Sequence, residues 1–301
     1  MNGNFERWAA AREGAAVGPI ERRGLLRMTG KTHQDFLHRM STQRVRGLAE
    51  GSVAHLAFLN VKGHVLAEGL AVLRSKETLL NVEPMAAGPL RAHLVKYVIM
   101  DDVKIEDVSA GFEVVPVLGE RGVLKGRERA GGNCWANPRR GVPALDILLP
   151  AADGERFREG LLAEGATPLA QEDLEGLRVL AGLPRFGAEV DESRLPMEAA
   201  LLASAVSFDK GCYLGQEVVL RGTIRGQIQK GLVQLALPAG VAPGALLTSA
   251  GREVGVVTSA AETPEGRLGL GYLRRAHWKV GERLATEGGE AEVRRVLVEE
   301  R

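Results

Sequence analysis

From about Gly231 the chain abandons its mixture of helical and extended patterns for a series of short strands, and this change of period constrains the fold more than any other feature. Val233, Leu235 and Leu237 point to one side of such a strand, and Leu232, Gln234 and Ala236 to the other. Further extended pieces follow at 254–258, 267–273 and 293–298, divided by turn residues and without a helix of useful length between them. Strands this short protect their edges best by closing on themselves, so the C-terminal part is expected to be an antiparallel β-barrel. Placing the boundary near 222–229 gives an N-terminal region of 1–222 and a barrel domain of 223–301.

Upstream of the barrel the pattern is α+β. A strand is expected at 24–30, then a helix capped by Thr32 with Asp35 in its first turn and Phe36, Leu37 and Met40 on its buried stripe. The apolar runs 53–60 and 65–73 flank Val61-Lys62-Gly63-His64 and read as a hairpin with a glycine turn. A strand at 79–82, a helix at 89–100 and strands at 103–108, 112–118 and 144–149 follow. Asp153 opens a helix carrying Phe157, Leu161 and Leu162, and Leu174, Leu177 and Leu180 mark another. A length of 301 residues suffices for two such lobes and a barrel.

Lys and Arg number 39 against 38 for Asp and Glu, so no broad electrostatic field exists for nucleic acid or an anionic membrane, and an anionic ligand needs a local cluster. No apolar run approaches membrane-spanning length, and the start of the chain lacks the apolar core of a signal peptide. Two cysteines, Cys134 and Cys212, are too few for a disulfide framework, so a reducing cytoplasm is the expected compartment. The six histidines show no metal-ligand spacing.

The segment Ser207-Phe-Asp-Lys210-Gly211-Cys212-Tyr213-Leu-Gly215-Gln-Glu217 carries the most chemical information. It reads as the end of a strand around 203–206, a glycine-bearing turn and a short helix beginning near Leu214. A thiol on that turn lies near helix N–H groups and near Lys210, both of which favour the thiolate. On residue chemistry alone two readings stand: a reactive or ligand-forming Cys212, or a small packed cysteine between structural glycines.

The run Lys-Gly-Cys-Tyr-x-Gly-Gln-Glu resembles the signature of the YgfZ family, folate-binding proteins that support assembly or repair of iron–sulfur enzymes. Arg178-Val-Leu-Ala-Gly182-Leu-Pro184-Arg-Phe-Gly187, Leu195-Pro196-Met-Glu198-Ala and Asn60-Val-Lys62-Gly63-His-Val-Leu66 also resemble that family and the related aminomethyltransferase T-protein of glycine cleavage. The resemblance implies a T-protein-like ring of α+β lobes with a C-terminal antiparallel barrel, and tetrahydrofolate or a derivative in the central opening. It also implies iron–sulfur proteins or their assembly machinery as partners, with effects on tRNA modification exerted through them. Glu198 falls where the T-protein uses a glutamate on the pterin edge, whose N–H donors suit a bidentate acceptor; without the resemblance it reads as an exposed helix residue. Lys210, Tyr213, Arg221 and Arg225 are the other expected folate-binding residues, the arginines suiting the carboxylates of a glutamyl tail. The T-protein carries paired aspartates after the hairpin glycine, where this chain has Ala67 and Glu68, and an acidic residue where it has Cys212. Cys212 and Glu68 are therefore the candidate catalytic residues. The expected function is that of a folate-binding accessory factor rather than a conventional enzyme; the alternative is a folate-dependent aminomethyltransferase.

Overall fold

A computed structural model describes residues 2–224 and 228–299. Helix α1 (Asn2–Arg12) and the short β1 (Ala16–Val17) precede β2 (Gly24–Thr29), α2 (His33–Met40), β3 (Val53–Leu59), β4 (Val65–Leu73), β5 (Glu77–Val82), α3 (Pro84–Val95) and β6 (Lys104–Asp107). Strands β3-β4-β5-β2-β6 form an antiparallel sheet. Helices α2 and α3 cover one face, because Phe36, Leu37, Leu90 and Leu94 recur at helical spacing and pack on Leu26, Met28, Leu56 and Phe58. The expected helix at 89–100 instead runs from Pro84, whose missing N–H costs nothing in a first turn, and ends at Val95.

The second lobe comprises β7 (Phe112–Leu118), α4 (Glu120–Ala130), β8 (Cys134–Ala136), β9 (Ala144–Pro150), α5 (Gly154–Ala163) and β10 (Thr167–Pro168). With β1 these strands make a sheet of order β10-β1-β7-β9-β8. Gly122 and Gly126 make α4 look like a loop in the sequence. Both glycines face Val117, and their missing side chains let the helix lie close to β7.

Helix α6 (Gln171–Ala181) leads to α7 (Leu202–Ala205) and α8 (Gln216–Ile224). The stretch expected to be a strand at 203–206 is therefore largely helical. Ala203, Ser204 and Ala205 include no β-branched residue, and Thr42 fixes the turn by donating its hydroxyl to the Ala205 carbonyl at 2.5 Å. Strands β11 (Lys230–Ala236), β12 (Leu246–Ser249), β13 (Arg252–Thr263), β14 (Gly266–Arg274), β15 (Arg283–Thr286) and β16 (Gly289–Val296) close into a six-stranded antiparallel barrel, as the alternation of apolar residues requires.

These units pack in a circuit. The free face of the first sheet meets the second through Leu70, Val72 and Leu79 against Val114, Trp135 and Leu148. The second lobe contacts α6 through Leu118 and Ala144 against Leu174 and Leu177. Val179 of α6 joins Leu232, Leu268 and Tyr272 of the barrel, and Gln234 donates to the Val179 and Leu180 carbonyls. Val190, Met197 and Leu201 then return to Ala57, Leu59 and Val65 of the first sheet. Among the described residues no helix is long and apolar enough to cross a membrane.

The two glycine-bearing motifs meet in space. Gly215 and Gly63 both have positive φ, 81° and 78°. A Cβ at Gly215 would lie 2.6 Å from the Asn60 carbonyl oxygen, and one at Gly63 would lie 2.8 Å from Val218 Cβ. Gly215→Ala is expected to cost roughly 1–3 kcal/mol through backbone strain and this clash, read as a lower urea midpoint. An unchanged midpoint would contradict the proposed contact.

Candidate functional site

The circuit encloses a cleft in which six arginines face four glutamates, with Ile20, Leu70 and Leu174 supplying apolar wall. Its floor is Glu68 on β4. Glu68 accepts from His55 Nε2 at 2.8 Å, from an Arg139 guanidinium N–H at 3.3 Å and from the Phe186 backbone N–H at 3.2 Å. Register places His55 one step diagonally across the β3–β4 pair from Glu68, on the same face. The side chains of both are almost sealed from solvent, 4% exposed for His55 and 5% for Glu68. Burial alone would raise the Glu68 carboxyl, but Arg139 and His55 overcome it and hold the group at about 2. Burial and the Arg139 charge pull His55 below its ordinary value.

The remaining charges are mostly cross-linked. Arg140 pairs with both Glu21 oxygens at 2.6 and 2.8 Å and with Asp146 at 2.8 Å. Arg178 holds Glu175 at 2.6 Å and the buried Glu189 at 2.7 Å. Arg23 bonds Asn81 and Glu83. Arg22 is exposed and has no ion pair among the described residues, while Arg185 reaches Glu175 only at 3.7 Å. Two guanidinium groups at this cleft are thus available to an anion.

Of the described residues expected to act at the site, Glu68 alone lines this cleft. Glu198 is half-buried, with one oxygen accepting from the Leu195 N–H at 3.1 Å. Tyr213 is buried beside Met197 and Val190, and burial pushes its hydroxyl up to about 12. Lys210 donates to the carbonyls of His38, Ser41 and Gln43, the last two at 2.6 and 2.9 Å, while burial and the Arg46 charge draw it down to about 7. Its donors are therefore spent on clamping the signature loop to the end of α2. Cys212 sits on that loop, exposed, ahead of the Leu214-Gly215 turn and α8. Arg221 is exposed and paired with Glu217 one turn earlier; Arg225 lies outside the described residues. Sequence reasoning missed Arg139, Arg140 and Arg22. Their only signal was arginine-rich loops whose neighbours are remote in sequence.

A family model described as the CAF17 C-terminal beta-barrel domain matches residues 229–297. A putative chloroplastic transferase of Arabidopsis thaliana is 27% identical over 89% of this chain, which spans 67% of that relative. The mitochondrial iron–sulfur cluster assembly factor IBA57 of Mus musculus is 28% identical over 85% of this chain and 76% of its own length. A tRNA-modifying protein YgfZ from Hamiltonella defensa is 28% identical over 89% and 85% respectively. The crystal structure of glycine cleavage aminomethyltransferase T from Bartonella henselae superposes with a TM-score of 0.85, covering 98% of this chain and 90% of that one at 21% identity.

Two predictions follow from this geometry. Because Glu68 is held at about 2 rather than its ordinary 4.5, its contribution to stability is present above pH 4.5 and is lost as pH falls toward 2. Arg139→Leu is expected to lower stability by ~3–5 kcal/mol at pH 7, with the gap to wild type narrowing between pH 5 and 3 as the stranded carboxylate is protonated. Urea unfolding across that range measures it, and a pH-independent gap would contradict the pairing. Exposed Cys212 is also expected to react with a thiol reagent at least several-fold faster than Cys134, which is half-buried and whose thiol burial raises. Equal rates in the folded protein would contradict this.

Proposed function

We propose that this chain, which belongs to the YgfZ/IBA57 family related to the T-proteins, is a tetrahydrofolate-binding accessory factor for the assembly or repair of iron–sulfur enzymes. The observation that carries the reading against one-carbon transfer is the state of Glu68. Its carboxylate is ionised, and its hydrogen bonds are taken up by Arg139, His55 and the Phe186 N–H. A carboxylate held near 2 is a poor acceptor for an amine proton at neutral pH. Ala67, beside it, faces the α2–α3 core and offers no second acid.

The cleft's chemistry fits folate. Arg22 and Arg185 suit the glutamyl carboxylates, and the walls formed by Ile20, Leu70 and Leu174 suit the ring system. Bound tetrahydrofolate supplies nucleophilic nitrogens able to carry a one-carbon unit. Glu198, Lys210, Tyr213 and Arg221, which do not line this cleft, and Arg225 stay in the proposal as contacts for a ligand that extends from it toward the signature loop. The exposed Cys212, on a loop fixed by Lys210, is the group proposed to meet iron–sulfur clients, with tRNA modification affected through them. Relatives named for mitochondria and chloroplasts are similar in sequence; for this chain a cytoplasmic site of action is proposed. The alternative, a folate-dependent aminomethyltransferase, rests on Glu68 lining the cleft.

Saturating tetrahydrofolate is expected to stabilise the folded chain through mass action by about 2.7 kcal/mol at one hundred times Kd, and so to raise the thermal midpoint. Cys212→Ser is expected to keep that shift while failing to restore iron–sulfur enzyme activity in cells lacking the protein. A folded protein with no shift would remove folate from the account, and full complementation by Cys212→Ser would remove the thiol.

A further inference from the structure

The His55–Glu68 pair has a second side. Glu68, ionised by Arg139, has only lone pairs to offer, so the 2.8 Å contact requires the imidazole proton to sit on Nε2. Burial and the Arg139 charge keep the ring neutral near pH 7, which leaves a lone pair on Nδ1. The group 3.0 Å from Nδ1 is the hydroxyl of Ser204, which must therefore be the donor. Ser204 is exposed on α7 and opens not into the arginine-rich cleft but into a different one of about 530 Å³, lined by Leu48, Val53 and Leu183 together with Arg44 and Arg139. A hydroxyl faces solvent, a buried base stands behind it, and a carboxylate fixes the base's tautomer.

We propose that Ser204, His55 and Glu68 form a nucleophile–base–carboxylate set that hydrolyses small carboxylic esters bearing an acid group. Ser204 Oγ attacks the acyl carbon as its proton passes to His55 Nδ1. The acyl C–O bond then breaks, and the departing alcohol takes the proton from Nδ1. Water attacks the acyl-serine, gives a proton to Nδ1, and releases the acid as the proton returns to Ser204. Glu68 stabilises the transient imidazolium without changing protonation state. Arg44 brings positive charge to the cleft for the substrate's acid group, while Leu48, Val53 and Leu183 accommodate the carbon skeleton. The arrangement works from a neighbouring cleft that shares Arg139 with the one assigned to folate, and its chemistry does not require folate to be bound.

The test uses the full chain with 4-nitrophenyl hydrogen succinate as substrate and a fluorophosphonate as a covalent probe. Turnover above buffer and an adduct mapped to Ser204 by peptide mass spectrometry are expected. Ser204→Ala, an exposed change, is expected to abolish the adduct and lower turnover at least tenfold while leaving the folate-induced thermal shift intact. His55→Gln is expected to lower labelling at least tenfold. Should that variant fail to fold, Ser204→Cys is expected to be alkylated several-fold faster in the native chain than after denaturation, because His55 withdraws the thiol proton. A folded wild type unlabelled at Ser204, turnover that survives Ser204→Ala, or a native Ser204→Cys thiol no faster than the denatured one would overturn the assignment. Loss of the thermal shift alone would bear on folate and not on this site.

Discussion

The buried contact between Glu68 and Arg139 is the constraint on which the centre of the molecule depends. A carboxylate on the interior of a sheet loses its hydration, and the loss is tolerable only where a cation and hydrogen-bond donors replace water. Here the replacements come from three places: Arg139 from the turn before β9, His55 from the neighbouring strand, and the Phe186 N–H from the loop after α6. One side chain thereby fixes the first sheet, the second lobe and the α6 segment relative to each other. Arg140 and Arg178 repeat the device, the first joining Glu21 to Asp146, the second joining α6 to Glu189 and to Ser259 of the barrel. Such pairs add little net stability compared with an apolar core, but breaking one strands a charge, so they specify geometry.

That geometry has chemical consequences in two clefts on the same face of the first sheet. Facing the arginine-rich cleft, Glu68 is spent as a base and leaves Arg22 and Arg185 for an anionic ligand. Facing the other cleft, its hold on His55 Nε2 turns Nδ1 toward the Ser204 hydroxyl. The signature loop is governed separately, by Lys210 under three carbonyls and by the approach of Gly215 to the hairpin turn, which together present Cys212 to solvent. A transferase-like frame thus carries an exposed thiol where the T-protein resemblance leads one to look for an acid.

Much of the frame is legible in the sequence because it follows local periodicity. The hairpin of β3 and β4, strand β7 and barrel strands β11, β13 and β14 sit where alternation places them, since each buries one face, whereas β12 and β15, of four residues each, are too short to show an alternation. Helix α4 is not legible, because Gly122 and Gly126 carry a packing signal that mimics a loop. Nor is the turn of helix at 202–205, where the deciding contact comes from Thr42, far away in the chain. The same limit governs the site. Cys212 and Glu68 stand out through motif and chemistry, whereas the role of Lys210 as a clamp, and the convergence of Arg139, His55 and Ser204 on Glu68, depend on contacts between residues far apart in sequence. No local pattern encodes them.

The central claim is that folate occupies the arginine-rich cleft above Glu68 without Glu68 acting as its base. A crystal structure of the chain soaked with tetrahydrofolate tests it most directly. The account predicts density for the ring system against Leu70 and Leu174, glutamyl carboxylates on Arg22 or Arg185, and Glu68 still bonded to Arg139 and His55. Density for folate elsewhere on the protein, or Glu68 released from Arg139 and turned onto a folate nitrogen, would contradict it.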